Sequence, residues 1–197
     1  VVLIGDPKQA IYAFRGADIY TYLQARRDTA GRHYTLGTNF RSTQSTVDAV
    51  NQVFASAEHR PAGRGPPLFR REQGDNPVPF QPVQAQGRAE RWWVEGGEGN
   101  ALTLMCVPDE ETLSNGDYRQ LMATHCAQEI VRLLLLGQQG AAGFTRDGAD
   151  IAPLQPGDIA VLVNTGREAD AVREALRRRG VRSVYLSDKE SGYASPR

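Results

Sequence analysis

Leu3-Ile4-Gly5-Asp6-Pro7-Lys8-Gln9-Ala10-Ile11-Tyr12-Ala13-Phe14-Arg15-Gly16-Ala17-Asp18 is the stretch on which the reading of this chain turns. Residues 1–4 are apolar and rich in β-branched side chains, which suits a strand buried on both faces of a parallel sheet. Gly5-Asp6-Pro7 breaks that run, since Pro7 has no N–H to continue a ladder. Ligands of open α/β sheets bind at the carboxyl ends of the strands. A glutamine there, Gln9, carries an acceptor and donors able to orient a water or touch a terminal phosphate. Hydrogen bonding to nearby backbone is the commoner role for such a residue. Tyr12 and Phe14 point the same way if the segment is extended. They can then stack on nucleic-acid bases, at roughly 1–3 kcal/mol per base. Core packing is the commoner use of two aromatics at this spacing.

A second signature follows at Tyr34-Thr35-Leu36-Gly37-Thr38-Asn39-Phe40-Arg41-Ser42-Thr43. Ser42 or Thr43 suits the N-cap of a helix running to about Phe54, with Val47, Val50 and Phe54 on one face. Arg41 then sits just ahead of a rigid element. A planar guanidinium in such a place can stabilise charge developing on a transferred phosphoryl group. Taken alone, an Asn-x-Arg-Ser run more often marks a surface arginine paired with a carboxylate.

The first stretch resembles motif III of the UvrD/Rep-type (superfamily 1A) DNA helicases, and its Asp-Pro-Lys-Gln-Ala-Ile-Tyr wording is similar to the RecB-type branch. The second resembles motif IV, written around Asn-Tyr/Phe-Arg-Ser. The resemblance implies an α/β fold: a fragment of a RecA-like (P-loop helicase) motor with a parallel sheet, the motor domain incomplete. It implies that Gln9 contacts the γ-phosphate of ATP and the attacking water, and that Arg41 reaches the same phosphate as an arginine finger. Tyr12 and Phe14 would cradle or stack single-stranded DNA, with Arg15 where DNA meets the domain cleft. Many relatives carry Trp where this chain has Phe14; Phe keeps the π-face and loses the indole donor. For the parent enzyme the resemblance implies ATP and Mg²⁺, single- and double-stranded DNA, RecC- and RecD-type partner subunits and a bacterial cytoplasm.

No Gly-x-x-x-x-Gly-Lys-Ser/Thr loop and no apolar strand ending in Asp-Glu occurs in the sequence. The chain is therefore expected to lend residues to an ATPase without hydrolysing ATP or holding nucleotide alone. A UvrD- or AddA-type helicase and a non-enzymatic DNA- or protein-binding module of the same fold are the rival readings. An intact phosphate loop upstream would separate enzyme from module.

The chain has 197 residues, 40% hydrophobic content and a formal net charge of zero, an ordinary globular composition. Neutrality does not announce nucleic-acid binding, which depends on local basic patches. Cys106 and Cys126 lack zinc spacing, the three histidines are isolated, and no apolar run approaches membrane-spanning length. No metal site and no membrane partner is expected. Opening in mid-strand without Met, the chain reads as an excised fragment.

Asp18 predicts an N-cap for a helix over 19–27. Residues 1–27 are read as the tail of the first motor domain (1A) and 28–33 as a connector. Residues 34–187 are read as part of the second (2A), with an irregular insertion around 57–107, and 188–197 as the start of the 2B region. Arg60, Arg64, Arg70 and Arg71 fall in a Pro- and Gly-rich excursion over 57–82, read as a solvated loop. Residues 91–94 and 101–106 flank a Gly-rich loop, predicting a hairpin with one tryptophan buried and its neighbour partly exposed. A long helix is predicted over 117–136 with Gly137 as its stop, then a loop over 138–154. A β-α-β unit is predicted from strands at 158–163 and 182–186 around a helix at 167–179 ended by Gly180, implying a parallel sheet and right-handed crossover. Arg177, Arg178 and Arg179 suit a solvated helix end.

Overall fold

The computed structural model of the chain describes residues 2–7, 18–58, 78–106, 112–146 and 150–186. The chain divides into two compact units, residues 1–88 and 89–197.

In the first unit residues 2–6 pair with no described residue; Ile4 is 94% exposed. Residues 2–4 of the buried strand predicted over 1–4 therefore form no ladder among the described residues. Such a strand is held by ladder neighbours on both edges, and no described residue pairs with it. Gly5 lies against the Tyr22 ring, at a distance where a Cβ would be crowded. Helix α1, Ile19–Asp28, matches the prediction to within one residue. Its start is fixed by Asp18, whose carboxylate accepts from the Tyr20 and Thr21 amides at 3.0 Å each and from the Thr21 hydroxyl at 2.7 Å. The Thr21 hydroxyl and these amides hold the Asp18 carboxyl below its ordinary range.

Strand β1, Thr38–Asn39, pairs in parallel with β2, Gln84–Ala85. The Gln84 amide donates to Gly37 O and the Gln86 amide to Asn39 O, both at 2.9 Å. Between them runs α2, Gln44–Glu58, four residues longer than predicted. Val47 is buried on α2, and Phe54 stacks on Phe80 with ring centroids 5.6 Å apart. The Phe80 amide donates to the Glu58 carboxylate at 3.2 Å. The Asn51 side chain holds both backbone groups of Val83, donating to its carbonyl at 2.8 Å and accepting from its amide at 3.3 Å. The stretch expected to be irregular thus contains an ordered return strand. Arg60, Arg64, Arg70 and Arg71 lie outside the described residues.

The second unit carries a four-stranded antiparallel sheet in the order β4-β3-β5-β6. Its strands are β3, Glu90–Val94; β4, Gly97–Glu98; β5, Ala142–Arg146; and β6, Ala152–Pro153. The hairpin is tighter than predicted. Glu95 (φ 52°) and Gly96 (φ 85°) make a two-residue turn, and β4 occupies the expected loop. Residues 101–106, predicted as the second strand, are exposed and pair with no described residue. Neither tryptophan is fully buried; Trp92 faces its cross-strand partner Phe144 with centroids 5.4 Å apart. Glu90–Arg146 and Arg91–Glu98 ion pairs, at 2.6 and 3.0 Å, bridge neighbouring strands.

Helix α3, Asn115–Gln138, packs against β5 and against α4, Gly166–Arg177. The core is made of Ala123, Ala127 and Ile130 from one helix and Ala175 and Leu176 from the other, with Ile159 and Val181 against it. Small side chains let the helices approach closely, and burying Leu176 contributes about 2 kcal/mol. Helix α4 starts in a capping box: Glu168 N donates to the Thr165 hydroxyl at 3.3 Å, and Thr165 N donates back to the Glu168 carboxylate at 3.0 Å. Both helices end alike: Ala141 N donates to Leu136 O and Val181 N to Leu176 O, with Gly140 and Gly180 at positive φ. Gly137 is therefore not the stop predicted. It is buried inside α3, where a Cβ would come 2.6 Å from the Leu154 carbonyl.

Helix α4 and its Gly180 end agree with the prediction; the flanking strands do not. Leu162 is 97% and Leu186 88% exposed, and neither 158–163 nor 182–186 pairs with any described residue. The loop predicted over 138–154 contains β5 and β6. Arg177 and Arg178 both bond the Glu174 carboxylate, which is held down to about 2, chiefly by the Arg177 hydrogen bond. The fold class is α/β, and β1–β2 is the parallel pairing among the described residues.

Two substitutions probe these units. Asn51→Ala leaves both Val83 groups without their partner and is expected to destabilise the chain by about 1–3 kcal/mol, with Asn51→Asp intermediate because it keeps the acceptor. Leu176→Ala is expected to cost about 2–5 kcal/mol through lost burial and the cavity left behind. Thermal and urea unfolding monitored by circular dichroism measure both.

Candidate functional site

Parallel strands send their carboxyl ends to the same side, and the segments leaving β1 and β2 meet there. Phe40-Arg41-Ser42-Thr43 connects β1 to α2. Asn39 closes this turn with its side chain: Oδ1 accepts from the Arg41 amide at 2.8 Å and from the Ser42 amide at 2.9 Å. Asn suits the position because its short amide reproduces a backbone acceptor. Of the two N-cap candidates, Thr43 fills the role. Its hydroxyl meets the Thr46 amide at 3.4 Å, and its carbonyl accepts from Val47 N at 3.1 Å. From the other strand Gly87 presses against the Ser42 backbone; a Cβ on Gly87 would overlap the Ser42 carbonyl.

Arg41 is exposed, and its guanidinium bonds no described residue. The carboxylate pairing expected of an isolated surface arginine is thus not made among the described residues. Five N–H donors stand clear beside the first turn of a helix whose free amides and dipole also favour an anion. The arrangement suits a phosphate oxygen arriving from outside the chain.

Of the residues predicted for the site, Arg41 is described and stands where the sequence reading put it, just before α2. Gln9, Tyr12, Phe14 and Arg15 lie outside the described residues. Asn39 and Gly87 were missed. An Asn two residues before the arginine and next to an N-cap was a usable signal for the first, whereas Gly87 has none without the pairing of β2. An exposed guanidinium beside a helix start is a donor set able to meet an anion. No group of three metal-ligating side chains occurs among the described residues, so they offer no cage for Mg²⁺. No helix among the described residues is long and apolar enough to cross a membrane.

Residues 1–30 match the family model of the UvrD/REP helicase N-terminal domain. The chain is 41% identical to the RecBCD enzyme subunit RecB of Escherichia coli (strain K12), over 97% of its own length and 15% of that protein. It is 33% identical to the RecB subunit of Haemophilus influenzae over 98% of its length, and 34% identical to that of Mycolicibacterium smegmatis over 96%. It spans 14% and 16% of those two proteins. Such identity across nearly the whole chain shows that it belongs to the RecB family of UvrD/Rep-type proteins.

Proposed function

We propose that this chain is a segment of the ATP-driven DNA helicase subunit of a RecBCD-type enzyme (exodeoxyribonuclease V), working in double-strand-break repair and recombination. The observation that carries the reading is Arg41, its backbone held at the carboxyl end of β1 and the start of α2 and its guanidinium bonded to no described residue. In this reading Arg41 meets the γ-phosphate of ATP, and Gln9 contacts the same phosphate and the attacking water. Tyr12, Phe14 and Arg15 grip single-stranded DNA. Residues 1–27 are the tail of the first motor domain, 34–187 part of the second, and 28–33 their connector. ATP with Mg²⁺ serves the full-length protein, RecC and RecD are its partners, and the bacterial cytoplasm is its compartment. Mg²⁺ would neutralise phosphate charge; this chain's part is to aim a cation at the terminal phosphate.

Arg41→Ala in the full-length protein is expected to lower kcat for DNA-stimulated hydrolysis by roughly 10²–10⁴, with ATP affinity changed far less. The same assay on the isolated chain is expected to stay at background, because the sequence lacks a phosphate loop and an Asp-Glu strand. Near-wild-type turnover in the variant removes Arg41 from the site.

DNA grip and chemistry separate in the first motif. Phe14→Ala is expected to lose about 1–3 kcal/mol of single-strand affinity, and Phe14→Trp to retain it. Gln9→Ala is expected to spare DNA affinity and depress stimulated hydrolysis. Fluorescence anisotropy with a labelled oligonucleotide, run beside a melting curve, decides. A Phe14→Ala protein that melts early yet binds normally when folded makes the ring structural.

A further inference from the structure

We infer that Asn39 and Gly87 are positioning residues for Arg41: between them they set the turn that presents the guanidinium. The inference rests on the proposed reading of Arg41 as a contact to the terminal phosphate. Asn39 is fixed twice. Its carbonyl accepts from Gln86 N at 2.9 Å within the parallel ladder, while its side-chain oxygen gathers the Arg41 and Ser42 amides at 2.8 and 2.9 Å. The backbone of Arg41 is thereby tied to a strand, although the residue itself is exposed. Gly87 closes the other side. It follows Gln86, and any Cβ on it would overlap the Ser42 carbonyl oxygen. That oxygen belongs to the backbone and cannot swing aside, so a side chain at position 87 would displace the turn itself.

The two contacts act on one turn, from β1 and from the segment that follows β2. A turn held this way costs little reorganisation when nucleotide arrives, because the backbone that carries the cation is already fixed. Loosening it misplaces the guanidinium relative to charge that develops during phosphoryl transfer. Ground-state ATP binding depends on other groups, so kcat falls while KM holds.

The test is a double-mutant cycle in the full-length protein, reading DNA-stimulated ATP hydrolysis. Asn39→Ala and Gly87→Ala are each expected to lower kcat about tenfold or more, with KM for ATP within about twofold. Asn39→Asp, which keeps an acceptor for both amides, is expected to recover most of the loss. In an Arg41→Ala background neither substitution lowers kcat further, because each acts through Arg41. A structural role would instead add to Arg41→Ala, lower the melting temperature in step with activity, and show no recovery in Asn39→Asp. A slow Arg41→Ala enzyme beside unimpaired Asn39→Ala and Gly87→Ala enzymes overturns the positioning role alone. Full activity in Arg41→Ala overturns the reading beneath it. If Asn39→Ala does not fold, Gly87→Ala carries the cycle.

Discussion

Two hydrogen bonds, Gln84 N to Gly37 O and Gln86 N to Asn39 O, define the parallel pair of the first unit, and a parallel pair imposes a topology. A short turn cannot join strands that run the same way, so the chain must cross over, and α2 is that crossover. Once it is there, both strands release their following residues at one end. The Arg41 turn and Gly87 meet because of this geometry, without any long side chain drawing them together. The ladder is only two residues long. Its support comes from α2: Asn51 takes both backbone groups of Val83, and Phe54 stacks on Phe80. A short ladder tolerates few errors, which gives a single half-buried amide side chain unusual weight.

The second unit solves a different problem with antiparallel pairing. Trp92 and Phe144 face each other across β3 and β5, while Val94 stands opposite the buried Ala142 nearer α3. Gly143 lets β6 come close, since a Cβ there would overlap the Ala152 carbonyl. Gly137 does the same for α3 at Leu154. Where backbones approach this closely, the glycine is set by its neighbour rather than by its own φ.

Legibility followed from how local each signal was. Helices α1 and α4 announce themselves through Asp18 and Gly180, each within one turn of the boundary. Val1-Val2-Leu3-Ile4 and Ile159-Ala160-Val161-Leu162-Val163 read as buried strands because their composition is that of a parallel-sheet interior. Composition names the neighbours a strand wants; pairing requires them, and no described residue supplies it. Strand β5 was hidden for the opposite reason. Ala142-Gly143-Phe144-Thr145-Arg146 carries a glycine that reads as a loop until Ala152 is seen beside it. The turn at Glu95-Gly96 puts a glutamate at positive φ, against its preference, so a longer loop was the natural reading. Arg41 was legible from its motif and its helix. Asn39 was legible in principle, and Gly87 was not, since its role exists only once β2 lies beside β1.

The electrostatic setting of Arg41 also separates it from the arginines whose pairs stabilise helices and strands. Arg132 holds Glu129, Arg177 and Arg178 share Glu174, and Arg146 crosses to Glu90. Each of those pairs is at least partly solvated and stabilises the fold little. Leaving Arg41 without such a partner among the described residues therefore costs the fold almost nothing, while those residues leave its donors available. A guanidinium already engaged by a carboxylate would have to break that pair before meeting a phosphate, and would arrive less firmly oriented. Here Asn39 fixes the backbone of Arg41, so the charged end need not be consumed to hold the peptide in place. Fixing the peptide and freeing the side chain are separable tasks, and in this turn two different residues perform them.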